Sequence, residues 1–420
     1  MTHALAVRRE PVTRSTATLV WVAFSLSHLW LLVVNMSIRP GTYNDVTGVY
    51  RFWFDQALRG NMVGVDQEWV YPFLAWLPIT LSGAWGTALY GLTWFVLVTI
   101  LDGVAVWLLL GRCRGVLLAG VYIGVQALLG PIAVGRLDSI TVPIVIVAML
   151  AARDRQVFSA GLLLTVGAWI KVWPGVLYLA LLAVRAKEWG KRLQLAGLAV
   201  SVPTIAVPIL LGSGTNVFSF VGQQGSRGLQ VESVAATPFL WLSARNDAQV
   251  YFDDDILTYQ VAGVGTDAVA AVLTPLLVCV VAGILVLGWL AARRNAPLPE
   301  LLTYLGLALV SALIVLNKVG SPQFVTWLIP VAVCLAAIGV QRHVIHLAMI
   351  AVVALFTQLI YPWEYGAVLD ATGFGLLLIT ARNVLEVVLL LMAFGLLWNV
   401  GWATPAEATT AEPQKLPLTQ

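Results

Sequence analysis

The sequence is poor in charge and in cysteine. Asp, Glu, Lys and Arg make up 11% of its 420 residues, whereas 60% are hydrophobic, and the mean hydropathy is +0.88. Such a chain lacks the polar surface that a water-soluble globule needs. The net charge is only +3, and no block of Lys and Arg with interleaved aromatic residues occurs, which argues against a nucleic-acid partner. Composition therefore predicts an all-α polytopic membrane protein.

The cysteines and histidines carry no disulfide or metal-binding pattern. Cys113, Cys279 and Cys334 lie at or within apolar runs without paired spacing, and the four histidines lack the spacing of metal ligands. The motifs of P-loop, dinucleotide-binding, zinc peptidase and serine hydrolase sites are also missing. We therefore expect neither a metal nor a cofactor.

Apolar runs dominate the chain, and a membrane span needs about 20 such residues. The runs are 17–36, 88–110, 115–132, 140–152, 157–170, 172–184, 195–211, 269–292, 301–316, 324–340, 344–360 and 384–400. The first is too long for a cleaved signal peptide and lacks a small-residue cleavage site, so it should stay as an anchor. We predict one transmembrane domain of about 12 helices over 17–401, preceded by segment 1–16 and followed by a disordered tail, 402–420.

The charges indicate the orientation of these helices. If successive helices cross the membrane in opposite directions, both termini and the short basic turns lie on one side. That side then carries 15 of the 24 Lys and Arg residues. The opposite side receives 13 of the 21 Asp and Glu residues. By the positive-inside rule, the termini and basic turns are cytoplasmic and the acidic loops are external, in a plasma membrane.

The two long connections, 37–69 and 212–266, both fall on the external side. Loops of this length are usually functional. The stretch 70–81 is apolar but too short to cross, which predicts a helix in the membrane interface. A second interfacial helix is predicted in the first loop, capped by Asn44 and ending at Gly60. The chemistry should therefore take place at the external surface.

Three charged residues lie beside unusually short runs. The fourth to sixth runs have 13 or 14 residues, about 20 Å of helix against a hydrocarbon core of about 30 Å. Arg136, Asp138 and Lys171 are then expected below the external headgroups. Charges persist at that depth when they face a cavity filled with water or ligand.

Basic residues at three external helix junctions suit a phosphate ligand. They are Lys171, Lys318 and Arg382, and Gln323 adds an amide donor near Lys318. Several cations and amides that converge are typical of sites for a lipid-linked phosphate. Interfacial snorkelling of Lys171 and an i,i+4 ion pair between Arg382 and Glu386 are the simpler alternatives.

The external loops contribute further polar candidates. Asp45 lies at the start of the predicted interfacial helix, facing the cavity mouth, although it could be merely part of the helix cap. The glycine-flanked string 220–233 contains Arg227, Gln230 and Glu232, whose side chains match hydroxyl-rich ligands. A structural turn is the alternative for this string.

These strings together resemble glycosyltransferase family 87, the actinobacterial polyprenyl-phosphate-mannose-dependent α-mannosyltransferases of the GT-C membrane fold. The features that carry the resemblance follow in chain order: Asp45, Tyr71-Pro72, Lys171-x-x-Pro174, Gln-x-x-Arg-Gly-x-Gln-x-Glu-Ser, Lys-x-x-Ser-Pro-Gln and Arg382-Asn383. They extend from Asp45 to Asn383, nearly the whole chain. Phe73 departs from the pattern, since a second proline is expected there.

The resemblance implies an inverting transfer of mannose, through an α-1,2 linkage, from a polyprenyl-phosphate donor to a glycolipid acceptor such as a phosphatidylinositol mannoside or lipomannan. Asp45 matches the general base. The expected ligands of the donor phosphate are Lys171, Lys318, Arg382 and Gln323, and those of the sugars are Arg136, Asp138, Arg227, Gln230 and Glu232. No metal is needed, because the cations stabilise the leaving phosphate.

Two other functions stay open. An arabinose donor would present the same lipid phosphate. A twelve-helix transporter or flippase is also possible, since such proteins need ionisable residues in mid-membrane. Asp102 and His28 are the clear candidates for that role, although hydrogen bonding within the helix bundle is the simpler expectation for both.

Overall fold

Long helices make up most of the structure, a computed structural model that describes residues 13–38, 41–223, 225, 227–254 and 256–402. Its α-helices are α1 (Arg14–Ser37), α2 (Arg51–Leu58), α3 (Trp76–Ser82), α4 (Tyr90–Leu110), α5 (Gly115–Leu129), α6 (Leu137–Arg153), α7 (Val157–Ile170), α8 (Pro174–Leu210), α9 (Ser219–Gly222), α10 (Thr237–Ser243), α11 (Thr266–Arg293), α12 (Leu298–Val315), α13 (Leu328–Gln358), α14 (Tyr365–Leu369) and α15 (Gly373–Trp402). Segments 1–12 and 403–420 lie outside the described residues, and the latter contains the predicted tail 402–420 except Trp402, which ends α15.

Eight helical segments of the described chain are long and apolar enough to cross a membrane. They are Arg14–Ser37, Thr87–Leu110, Gly115–Ala133, Lys187–Leu210, Thr266–Arg293, Leu298–Val315, Pro322–Trp363 and Gly373–Trp402. Their many exposed aliphatic side chains need an apolar environment, and the helices fit an all-α, membrane-embedded protein.

The predicted apolar runs fall almost entirely on helical residues, but several helix ends differ. Two helices each join two of the predicted apolar runs and have non-helical backbone angles between or near them: α8 at Arg185, and α13 at Gly339 and His343. Helix α6 has 17 residues, so it is longer than the predicted run 140–152. Helix α15 begins at Gly373, eleven residues before the predicted run 384–400, because Arg382 and Asn383, which precede that run, are buried and paired within the helix.

Both long connections are structured. The first contains a π-helical turn, Asp45–Tyr50, that leads into α2, which agrees with the predicted helix between Asn44 and Gly60. The stretch 70–81 forms the 3-10 turn Phe73–Ala75 and then α3. The second connection was not predicted in detail: besides α9 and α10 it holds an antiparallel hairpin of β1 (Ala248–Asp253) and β2 (Thr258–Gly263).

The described chain has three buried apolar clusters, which meet at Arg136: it precedes Leu137 of the second cluster, and its guanidinium contacts Tyr361, which packs against the first and third clusters. The largest joins the long helices, where α7 packs on α6 and α8, and α13 on α5. The second cluster joins the first loop, α3 and α4, and includes Leu137. The third cluster joins the second loop, the hairpin and α15, and includes Ile360. Polar residues between these clusters therefore come from segments that are distant in the chain.

Two loop segments cross in direct backbone contact beside this junction. The amide of Gln230 donates to the Lys318 carbonyl at 3.0 Å, and the Ser233 hydroxyl donates to the Asn317 carbonyl at 2.9 Å. A Cβ on Gly320 would lie 1.9 Å from the backbone nitrogen of Ser233. Only glycine allows this approach, so Gly320 holds the two segments together.

We expect Gly320→Ala to lower stability by about 1–3 kcal/mol, because neither backbone can retreat easily. The measurement is thermal unfolding in detergent, followed by tryptophan fluorescence. Gly366→Ala is the matched control, since no heavy atom of the described residues lies within 4 Å of a Cβ placed there. Equal melting temperatures for the two variants would contradict the close crossing.

Candidate active site

Asp45 forms an ion pair at the junction of the three clusters. Its Oδ2 lies 3.0 Å from Nε of Arg136, and its side chain is 33% exposed, whereas that of Arg136 is 6% exposed. The predicted cap is wrong: Asn44 has helical backbone angles, and its side chain makes no cap bond to the described part of the chain. Asp45 is thus a reachable carboxylate held by a buried cation rather than part of a helix cap.

The guanidinium of Arg136 is tied to several segments. Nε donates to Gln323 Oε1 at 3.0 Å, Nη2 donates to the Tyr361 hydroxyl at 3.4 Å, and Nη1 donates to the carbonyls of Thr42 and Gly135. Burial alone would lower the pKa of Arg136, but the charge of Asp45 opposes this and the net pKa is raised. Arg136 therefore stays charged and keeps a defined orientation.

A second carboxylate and cation lie beside this pair. Asp138, in the first turn of α6, is fully buried, and its Oδ2 lies 3.5 Å from Nζ of Lys171. Trp327 Nε1 donates to the other carboxylate oxygen at 2.7 Å, and the ammonium group lies 4.6 Å from the Tyr71 ring centroid. Burial would lower the pKa of Lys171, yet the charges of Asp138, Tyr71 and Asp45 raise it.

Arg382 belongs to a separate buried network. Nη1 donates to Glu232 Oε2 at 2.9 Å, Nη2 donates to the Glu232 carbonyl at 2.8 Å, and Nε donates to Asn383 Oδ1 at 2.9 Å. Glu386 lies 3.8 Å away, so the i,i+4 pair considered above is present alongside a closer partner. Burial raises the pKa of Glu232, against the opposing charges of Arg382 and, further away, Arg136.

The other loop candidates lie around this network. Lys318 Nζ donates to the Gly225 carbonyl at 2.8 Å, and burial lowers its pKa. Gln230 Nε2 donates to the Thr258 hydroxyl at 3.3 Å. Among the residues that the structure describes, none forms a hydrogen bond with the buried Nε of Arg227, and burial lowers the pKa of this side chain.

The structure therefore brings five of the predicted site residues close together. The other predicted residues lie in the Glu232 network or around it. Asp45, Arg136, Gln323, Asp138 and Lys171 lie in two adjoining contact groups, linked by the charge of Asp45 acting on Lys171. The backbone crossing at Gly320 joins them to the Glu232 network. The site thus offers one partly exposed carboxylate beside buried cations.

Tyr361 was missed by the sequence reasoning. It contacts Arg136, and it precedes Pro362 just as Tyr71, near Lys171, precedes Pro72. A residue before proline favours extended backbone, and Tyr361 has φ −124° and ψ 110°. The second Tyr-Pro pair at the end of an apolar run was the signal that could have identified it.

The two mid-span candidates bind one another. His28 Nε2 lies 3.0 Å from Asp102 Oδ2, and the same carboxylate accepts from Gln126 Nε2 at 2.9 Å and from the Tyr122 hydroxyl. This confirms that both are hydrogen-bonded within the bundle. Among the described residues, no group of three His, Cys, Asp or Glu is arranged to hold a metal ion.

No protein-family profile matches the chain. No curated protein matches it at a significant level.

We expect Asp138→Asn to lower the pKa of Lys171, because burial remains while the nearest compensating charge is lost. The pKa is obtained from the pH dependence of Lys171 acylation, read by peptide mass spectrometry. Asp55→Asn is the control, since Asp55 pairs with exposed Arg51 at 3.8 Å and should leave Lys171 unchanged. An unaltered pKa in Asp138→Asn would contradict the pairing.

Proposed function

We propose that this chain is an inverting membrane glycosyltransferase that moves mannose from polyprenyl-phosphate-mannose to a hydroxyl of a glycolipid acceptor. One observation carries the proposal: a partly exposed carboxylate, Asp45, lies against buried Arg136, next to mostly buried Lys171, eight residues after the first long apolar helix, Arg14–Ser37. A lipid-linked donor can reach such a site from the membrane while its sugar phosphate meets the charged groups.

The arrangement supplies what this transfer needs. The acceptor hydroxyl must lose a proton as its oxygen attacks the anomeric carbon, and Asp45 accepts that proton. The bond between the anomeric carbon and the phosphate oxygen breaks on the opposite face, which inverts the configuration. The electron pair stays on the phosphate, and fixed cations stabilise the charge that develops there.

The contacts favour Lys171 as the cation nearest the leaving phosphate, followed by Arg136, whose Nη2 makes a long, 3.4 Å bond to the Tyr361 hydroxyl. Lys171 is 3.5 Å from Asp138, a long contact that leaves its ammonium group able to bind an anion. Arg382 already donates to Glu232 and Asn383, and Lys318 to Gly225, so each would have to exchange a partner to reach the phosphate. We accordingly assign Gln323 to positioning Arg136, and Arg227, Gln230 and Glu232 to the acceptor side.

We also propose that all twelve runs cross or enter a plasma membrane in a GT-C arrangement, with the basic turns in the cytoplasm and the site on the external face. The charge asymmetry between the two sides supports this orientation. The transporter alternative loses support, because the Asp102 carboxylate is already bound by His28, Tyr122 and Gln126. An arabinose donor would bind through the same phosphate contacts.

Asp45→Asn should fold and bind donor but lose transfer by about a hundredfold or more, because the amide cannot accept the proton. The assay incubates purified protein with polyprenyl-phosphate-mannose and glycolipid acceptors and measures products by mass spectrometry. Asp55→Asn is the control: it makes the same carboxyl-to-amide change on α2, which follows the turn that holds Asp45. This variant should keep full activity. Wild-type turnover by Asp45→Asn would overturn the assignment of the base.

Lys171→Gln should weaken donor binding by about tenfold or more, since a charge-assisted bond to the phosphate is lost. Binding of the acceptor should change much less. Both affinities can be measured by titration of the detergent-solubilised protein, with Arg245→Gln, an exposed cation in the second loop, as the control. Equal losses for donor and acceptor would indicate that Lys171 only supports the fold.

A further inference from the structure

A separate cationic hollow lies on α8, directly after the break in this helix. The helix is broken at Arg185, and a partly open hollow of about 430 Å³ follows the break. Its lining residues are Lys187, Glu188, Gly190, Lys191, Arg192 and Gln194. Its acid, Glu188, accepts from Arg185 Nη1 at 2.8 Å, so the three lining cations leave the hollow with net positive charge.

The segment Lys187–Leu210 has two distinct faces. Trp189, Leu193 and Ala196 are buried, and glycine at position 161 of α7 packs against Leu193 and Ala196. On the opposite face, the exposed large side chains begin directly after the hollow: Leu195 is 60% exposed, Leu198 58% and Val202 57%.

The cations and the exposed apolar ridge share one side of this helix. At about 100° per residue, Lys187, Lys191, Leu195, Leu198 and Val202 fall within a sector of roughly 80°. From Lys191 to Val202 the ridge rises about 16 Å. A ligand that follows this side would meet positive charge first and then an apolar strip as long as half a bilayer's hydrocarbon core.

We propose that this hollow binds the phosphate headgroup of an anionic phospholipid, whose acyl chains lie along Leu195, Leu198 and Val202. Clustered lysine and arginine directly beside a membrane helix attract anionic lipids, and each adds to the affinity. The lysine stems can lie along the helix while their ammonium groups contact the phosphate. The ridge favours a lipid over free phosphate. This site is independent of the proposed transfer reaction, since it needs only that Lys187–Leu210 lies in a bilayer.

The test is native mass spectrometry of the full chain in detergent, titrated with phosphatidylglycerol or with phosphatidylcholine of the same acyl chains. Wild-type protein should retain phosphatidylglycerol preferentially. The triple variant K187Q/K191Q/R192Q should weaken that binding by about tenfold or more and leave phosphatidylcholine binding unchanged. The triple variant R51Q/R59Q/R245Q removes the same charge from exposed arginines elsewhere and should behave as wild type.

Three results of the titrations would overturn the proposal. One is unchanged phosphatidylglycerol affinity in K187Q/K191Q/R192Q, and another is an equal loss in the control variant. The third is displacement of the lipid by millimolar inorganic phosphate, which would indicate a site for free phosphate. A photoactivatable phosphatidylglycerol gives a readout that needs no variant: it should label the 187–202 region of wild-type protein, and labelling confined to other regions would contradict the site.

Discussion

The buried guanidinium of Arg136 is the interaction on which the rest of the site depends. Removing a charge from water costs several kcal/mol unless partners replace its hydration. Here the partners are a carboxylate, Asp45, together with Gln323, Tyr361 and backbone carbonyls. They come from the first loop, from the 3-10 helix Pro322–Trp327 and from the segment Leu359–Trp363 that follows α13. One side chain therefore ties together segments that are nearly 320 residues apart.

The burial of Arg136 also affects how charges are balanced in the site. Asp45 with Arg136 and Asp138 with Lys171 form two neighbouring pairs whose charges sum to zero, while Arg382 is enclosed by Glu232 and Glu386. Of these carboxylates, Asp45 is the one with substantial exposure, at 33%. The buried partners stay fixed by packing and hydrogen bonds, as with Trp327 on Asp138, which leaves Asp45 as the group best able to meet an incoming hydroxyl.

The sequence was informative where a local pattern decides the structure. Long uncharged runs predicted the helices, and the first-loop helix after Asn44 was predicted from its spacing. Local pattern failed where tertiary contacts decide: α15 extends back to Gly373 because Arg382 and Asn383 find buried partners in the second loop. The pairing of Asp45 with Arg136, 91 positions away, and the hairpin Ala248–Gly263, which lacks a short Asn-Gly or Asp-Gly turn, had no local signal.

A structure of the protein with a non-reactive phosphonate analogue of polyprenyl-phosphate-mannose would show directly whether Asp45 and the cations face the transferred sugar. We expect the phosphonate to lie within hydrogen-bonding distance of Lys171 or Arg136. We also expect the Asp45 carboxylate to face the side of the anomeric carbon opposite the phosphonate. Density for the analogue on another surface, with Asp45 far from its sugar, would contradict these expectations.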